Sequence, residues 1–219
     1  MPTLSESARQ GDILRWELHH EFSRENVTVV AAAALKIGAI LAQRTKSTVT
    51  PTKKSGTGDG ALGTWTLGAS AMPGIYKLTC IATATNAGTF SVLAPDGGYL
   101  PNLTVAVAYV SDHINGTLAD GAADWGLGAV IEIAVTGDGK YLPASYGAVD
   151  GTGEACAILL NDTAITTGKI LAILRRFAIL VPGDLIYDSS YDSAPKKAVA
   201  VAQLKALSNI LVVPATSYV

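Results

Sequence analysis

The middle of the chain admits one kind of local structure. From residue 64 to 136, runs that alternate apolar and polar residues return at roughly ten-residue spacing, with no helical pattern between them. Tyr76-Lys77-Leu78-Thr79-Cys80-Ile81-Ala82-Thr83 alternates, Asn86-Ala87-Gly88 turns, and Thr89-Phe90-Ser91-Val92 returns. Asp96-Gly97-Gly98, Asp120-Gly121 and Gly137-Asp138-Gly139 bound further runs at 103–110, 114–118 and 129–135. Successive strand residues point to opposite faces, so such alternation builds a sheet with one apolar face. That face needs a second layer over it, which predicts a small antiparallel β-sandwich over residues 53–139. Its borders are glycine-rich, with Gly56, Gly58, Gly60 and Gly63 at its entry and Gly137 and Gly139 at its exit. They mark the block as an insertion into another domain.

Lys53 to Gly63 has the composition of a flexible linker. Its glycines do not make a phosphate loop, which would require Lys-Ser or Lys-Thr after the last glycine and then a helix. Here Ala61 to Trp65 leads into more strand pattern.

Residues 1 to 12 are polar and read as a mobile tail. Leu14, Trp16, Leu18 and Phe22 come next with polar residues between them, the spacing of one apolar strand face. Further strands are expected at Val27–Val30 and Leu35–Leu41. The first strand has two possible destinations. It adds to a sheet of another protein, or it pairs inside its own domain.

Beyond Lys140 the pattern changes. Glu154–Leu160 is an apolar strand ended by Asn161-Asp162, and Lys169–Val181 is a long apolar run with Arg175 and Arg176 in its middle. Ser193 is a candidate N-cap, and Pro195 sits in the first turn of the one convincing helix. Ala200, Val201, Leu204 and Leu207 form its apolar face, Asn209 ends it, and Ile210–Val213 is a last strand.

Composition removes several functional classes. Net charge is −2, which disfavours nucleic acid as a partner. No apolar run is long enough for a membrane-spanning helix, and the first residues lack a signal-peptide pattern. Charged residues are only 16%, as expected where surface is covered in an oligomer. Cys80 and Cys156 lie in apolar runs and are expected to be buried free thiols. His19 and His20 are adjacent, so on a regular strand they face opposite sides and cannot share a metal. Asp59, Asp96, Asp120 and Asp138 are turn residues. No arrangement of Ser, His and Asp suggests acyl transfer, and no metal, cofactor or enzymatic activity is expected.

Several stretches together resemble the lambda-type bacteriophage head decoration proteins. They are Ser23-Arg24-Glu25-Asn26-Val27-Thr28-Val29 and Leu35-Lys36-Ile37-Gly38-Ala39-Ile40-Leu41-Ala42, then Ala157-Ile158-Leu159-Leu160-Asn161-Asp162, then Ile173-Leu174-Arg175-Arg176. Ala200-Val201-Ala202-Gln203-Leu204-Lys205-Ala206-Leu207-Ser208-Asn209-Ile210-Leu211-Val212 closes the set. The resemblance covers roughly 21 to 52 and 141 to 214 and leaves the middle block outside. One departure stands out: family members often have Arg-Gly-Ala where this chain has Arg176-Phe177-Ala178.

The resemblance implies a mainly β protein. A β-clip-like decoration domain with a short C-terminal helix, residues 21–52 and 140–219, is interrupted by the inserted antiparallel β-sandwich. It implies a homotrimer on the outer surface of the virion, assembled in the host cytoplasm, with the major capsid protein as partner. The trimer would cement the expanded capsid against internal DNA pressure. It also implies a flexible capsid-binding arm over residues 1–20. The expected contact residues are Leu14, Trp16, Leu18 and Phe22, continuing into Ser23, Arg24, Glu25 and Asn26. The inserted block allows a second reading, a carbohydrate- or host-surface-binding module displayed on the virion. Trp65, Tyr99, Tyr109 and Trp125 would then stack on sugars, or else fill the core.

Overall fold

In chain order, the computed structural model begins with α1 (Gln10–Ile13), β1 (Leu14–Glu17), α2 (His20–Ser23), β2 (Arg24–Ala31) and β3 (Ile40–Gln43). Next come β4 (Thr48–Ser55), β5 (Thr66–Leu67), β6 (Gly74–Ala84), β7 (Ala87–Leu93), β8 (Tyr99–Thr104), β9 (Ile114–Asn115) and β10 (Val130–Thr136). It ends with β11 (Tyr141–Pro143), β12 (Ala155–Leu159), β13 (Thr166–Leu174), β14 (Ala178–Leu180), α3 (Ala194–Ser208) and β15 (Ile210–Val212). The structure describes residues 9–213. The chain is mainly β with a short C-terminal helix and several sheets, as the sequence predicts. It divides into two units, one built from the residues up to Arg44 and from Gly139 on, the other from Thr45–Asp138.

The first unit holds a closed five-stranded barrel in the order β11-β2-β13-β12-β3. A three-stranded sheet, β1-β14-β15, belongs to the same unit. All five residues of β12 are buried, because the strand has apolar neighbours on both faces. Cys156 and Leu159 join Val29, Leu41 and Ile173 in one apolar cluster. Ala155 and Ile158 join Leu174, Leu180, Ala200 and Leu204 in the other. α3 covers that second cluster with Ala200, Leu204 and Ser208, spaced four residues apart. Leu207, expected on the apolar face, is 49% exposed, so the buried stripe runs to a serine instead. Ser193 stands at the N-cap but makes no side-chain cap bond; its carbonyl accepts from Lys197 N at 3.0 Å. Asn209 ends the helix in the left-handed conformation (φ +50), which asparagine tolerates well.

The second unit is a five-stranded antiparallel sheet, β4-β10-β6-β7-β8, with the two-stranded pair β5-β9. Alternation works here as the sequence predicts. Tyr76, Leu78, Cys80, Phe90, Val92, Ile131 and Ile133 are all buried, and their cluster includes Trp65, Ile114, Leu118 and Trp125. The boundary differs from residue 53, because Thr48–Ser55 pairs with Val130–Thr136 along its whole length. The run expected at 103–110 instead lies at 99–104. Lys53–Gly63 is no free linker. A Cβ on Gly56 would stand 2.4 Å from Ala129 Cα, and one on Gly58 (φ +109) would stand 2.5 Å from the Trp125 ring. The glycines let backbone close on the core, which composition alone cannot distinguish from flexibility.

Trp125 is the largest fully buried side chain here. Its Nε1 donates to Ala119 O at 3.0 Å, and its ring meets Phe90 edge-on with centroids 5.6 Å apart. Trp125→Ala is expected to destabilise this unit by about 3–5 kcal/mol, the usual range for a buried aromatic. Differential scanning calorimetry should show the loss in the transition of this unit, and an unshifted thermogram would refute it.

Candidate functional site

The N-terminal segment pairs within its own unit. Leu14 lies opposite Leu180, Trp16 opposite Ile179 and Glu17 opposite Ala178, with a bulge between Leu14 and Trp16. One extra residue in a strand turns the next side chains to the other face. Leu14 therefore packs on the core beside Leu180, while Trp16 turns outward and is 50% exposed. The single face expected for Leu14, Trp16, Leu18 and Phe22 does not form. The strand also stops at Glu17, and Phe22 sits in the one-turn helix α2, where Phe22 N and Ser23 N donate to His19 O at 3.0 and 2.7 Å. The same turn stacks His19 and His20, with rings 4.6 Å apart, rather than placing them on opposite faces.

What forms instead is an apolar row across three strands, exposed at Trp16 and Leu211 and half-buried at Ile179. Ile179 pairs with both Trp16 and Leu211, and residues opposite one another in a sheet share a face. The alternate rows, Ala178 with Ile210 and Leu180 with Val212, pack into the core. Leu18 extends the row, with its N–H donating to Phe177 O at 3.1 Å. Phe22 and Phe177 add a ring pair with centroids 5.6 Å apart. Leu18 and Phe22 are 55% and 46% exposed, so the outward patch is aromatic and aliphatic. The spacing of Trp16, Leu18 and Phe22 could be read from the sequence. Phe177, Ile179 and Leu211 could not, because only strand pairing brings them there.

Polar contacts fix this segment. Arg24 grips Glu17 with both ends of its guanidinium, Nε to Oε2 at 2.9 Å and Nη2 to Oε1 at 2.7 Å. The carboxylate holds the Arg24 pKa above its ordinary value through that hydrogen bond. Ser23 is fully buried, and its carbonyl accepts from Arg175 N at 2.8 Å and Arg176 N at 3.2 Å. Glu25 pairs with Arg176, whose Nη1 also reaches Phe22 O at 3.0 Å. Asn26 is exposed and lies opposite Ala172 in the barrel. Ser23, Arg24 and Glu25 thus brace the patch rather than extend it.

Phe177 occupies the left-handed region at φ +49, a conformation that favours glycine. This is the position where the chain departs from the Arg-Gly-Ala pattern. Phe177→Gly is expected to relieve roughly 1 kcal/mol of backbone strain while losing a ring contact of similar size, leaving the melting temperature nearly unchanged. Phe177→Ala keeps the strain and loses the ring. It should melt below Phe177→Gly; the reverse order in a thermal melt would show that the backbone there is unstrained.

The four aromatics considered for sugar stacking do not form a platform. Trp65, Tyr109 and Trp125 are buried in the core of the second unit, and only Tyr99 is exposed. The apolar character that suggested a binding face belongs to the sheet interior.

Comparison with solved structures finds two crystal forms of FlgL from Xanthomonas campestris at 15% identity and a TM-score of 0.33. The match covers 46% of this chain and about a third of that one, 33% in one form and 32% in the other. A comparison with curated proteins finds no match. The family model of the bacteriophage lambda head decoration protein D matches residues 3–210, nearly the whole chain. The chain belongs to the bacteriophage lambda head decoration protein D family.

Proposed function

We propose that this protein binds the expanded phage capsid as a homotrimer on its outer surface and cements it against internal DNA pressure. Decoration of the phage head is the role of the family, a structural rather than an enzymatic one. The observation that carries the finer reading is the row Trp16–Ile179–Leu211, with Phe22 and Phe177 beside it. Three strands spend apolar side chains on solvent there, while each strand keeps its other face in the core. A contiguous exposed apolar patch on a well-packed unit marks a protein-binding surface. The partner is the major capsid protein, and Trp16, Leu18 and Phe22 are the contact residues.

Trimer formation explains how such a patch holds on. Three linked contacts raise avidity over one by something like 10²–10⁴. The test is addition of purified protein to undecorated expanded capsids, with occupancy read by electron microscopy and mass by light scattering. Bound density at three-fold positions and a mass three times that of the chain are expected. A stable monomer that leaves capsids bare would overturn the proposal.

A further inference from the structure

Beside Phe177 opens a polar pocket of about 460 Å³, lined by Glu25, Gln43, Tyr141, Arg175, Arg176 and Leu207 among others. Its charges do not balance: Glu25 is held by Arg176, and no carboxylate of the described residues pairs with Arg175. Arg175 is half-buried and bonds neutral acceptors. Its Nε donates to Tyr141 Oη at 3.2 Å, and its Nη1 donates to Cys156 O at 3.2 Å and Ser208 Oγ at 2.5 Å. Nη2 donates to none of the described residues. The guanidinium is thus held by neutral acceptors through Nε and Nη1, and it lines an open pocket with Nη2 unspent. A half-desolvated cation with fixed geometry and spare N–H groups suits a carboxylate.

We infer that this pocket is a socket for an acidic side chain of the capsid protein. The inference rests on the capsid-binding reading above and adds a polar anchor to it. Continuity assigns the partner: Phe177 both lines the pocket and packs on Phe22, so a chain lying on the apolar patch passes the pocket mouth. The carboxylate would accept from Arg175 Nη2. Tyr141, whose hydroxyl is kept protonated by burial, would hold the guanidinium in place without competing as an anion.

The experiment titrates protein onto expanded capsids after sedimentation and melting of each variant. Leu207 is exposed at the pocket lining, so Leu207→Glu supplies an internal carboxylate without touching the Arg175 network. Leu207→Gln sets the reference for loss of the leucine. Half-occupancy by Leu207→Glu should need about tenfold more protein than by Leu207→Gln, the scale of one charge-assisted hydrogen bond. Arg175→Gln should fall similarly against the parent, and Arg175→Lys should recover part of the loss. Equal decoration by the two Leu207 variants overturns the socket, whatever Arg175→Gln does to folding. A Leu207→Glu effect on trimer mass instead of capsid occupancy would place a second copy in the pocket and overturn the assigned partner. If the parent protein itself leaves capsids bare, the capsid reading fails first, and this partner falls with it.

Discussion

Trp16→Ala is expected to leave folding and trimer formation intact and to lower the apparent affinity for capsids roughly a hundredfold or more. The indole is half exposed in the free protein and is not part of the buried clusters, so its loss costs the fold little. On the capsid its exposed half would be covered, contributing on the order of 2–3 kcal/mol at each site. Three sites in the proposed trimer would compound the loss. Decoration measured at equal protein concentration should therefore drop steeply while the melting curve stays put. A decorated capsid at parent levels would sink the contact; loss of the trimer would move the patch to the subunit interface. The neighbouring residues behave differently. Ile13 is 1% exposed, and its carbonyl accepts from Val181 N at 2.9 Å. Truncation through residue 20 would remove a core side chain and a sheet strand together. It is expected to unfold the first unit, so it does not isolate the contact, whereas a point change at Trp16 does.

The contrast between Trp16 and Leu14 shows what the sequence could and could not reveal. Strand character at 14–17 was legible from alternation, as were the one long helix, its glycine-free C-terminal stop at Asn209, and the alternating inner face of the second unit. Local patterns govern all of these. The bulge at Arg15 is a product of pairing with β14, and no local pattern announces one extra residue. The same holds for Arg175. An arginine in an apolar run signals something unusual, but its partners Tyr141, Cys156 and Ser208 lie 19 to 34 positions away and converge only when the barrel closes. Glycine misled in the opposite way. The stretch from Gly56 to Gly60 reads as linker because flexibility and close approach call for the same residue.

Replacing Thr45–Asp138 with a two-residue turn is expected to leave the first unit folded and still able to decorate capsids. The junction geometry supports this. Arg44 N donates to Lys140 O at 2.8 Å, and Gly139 N donates to Arg44 O at 3.2 Å. The strands on either side, β3 and β11, pair antiparallel with Gln43 opposite Tyr141. The inserted unit therefore occupies the place of a hairpin loop: with Arg44 opposite Lys140, two new residues followed by Gly139 (φ +68) make a three-residue loop, a type I turn closed by a left-handed glycine. Its own core, Tyr76, Phe90, Trp125 and their neighbours, is a cluster distinct from the two clusters of the first unit. Loop closure favours the shortened form, since a short loop costs less entropy than a long one. Circular dichroism, melting and capsid titration of the excised protein test each step. A folded but non-binding product would make the insertion part of the cement. An unfolded product would show that the barrel needs the inserted sheet, and that the hairpin alone cannot hold β3 and β11 in register.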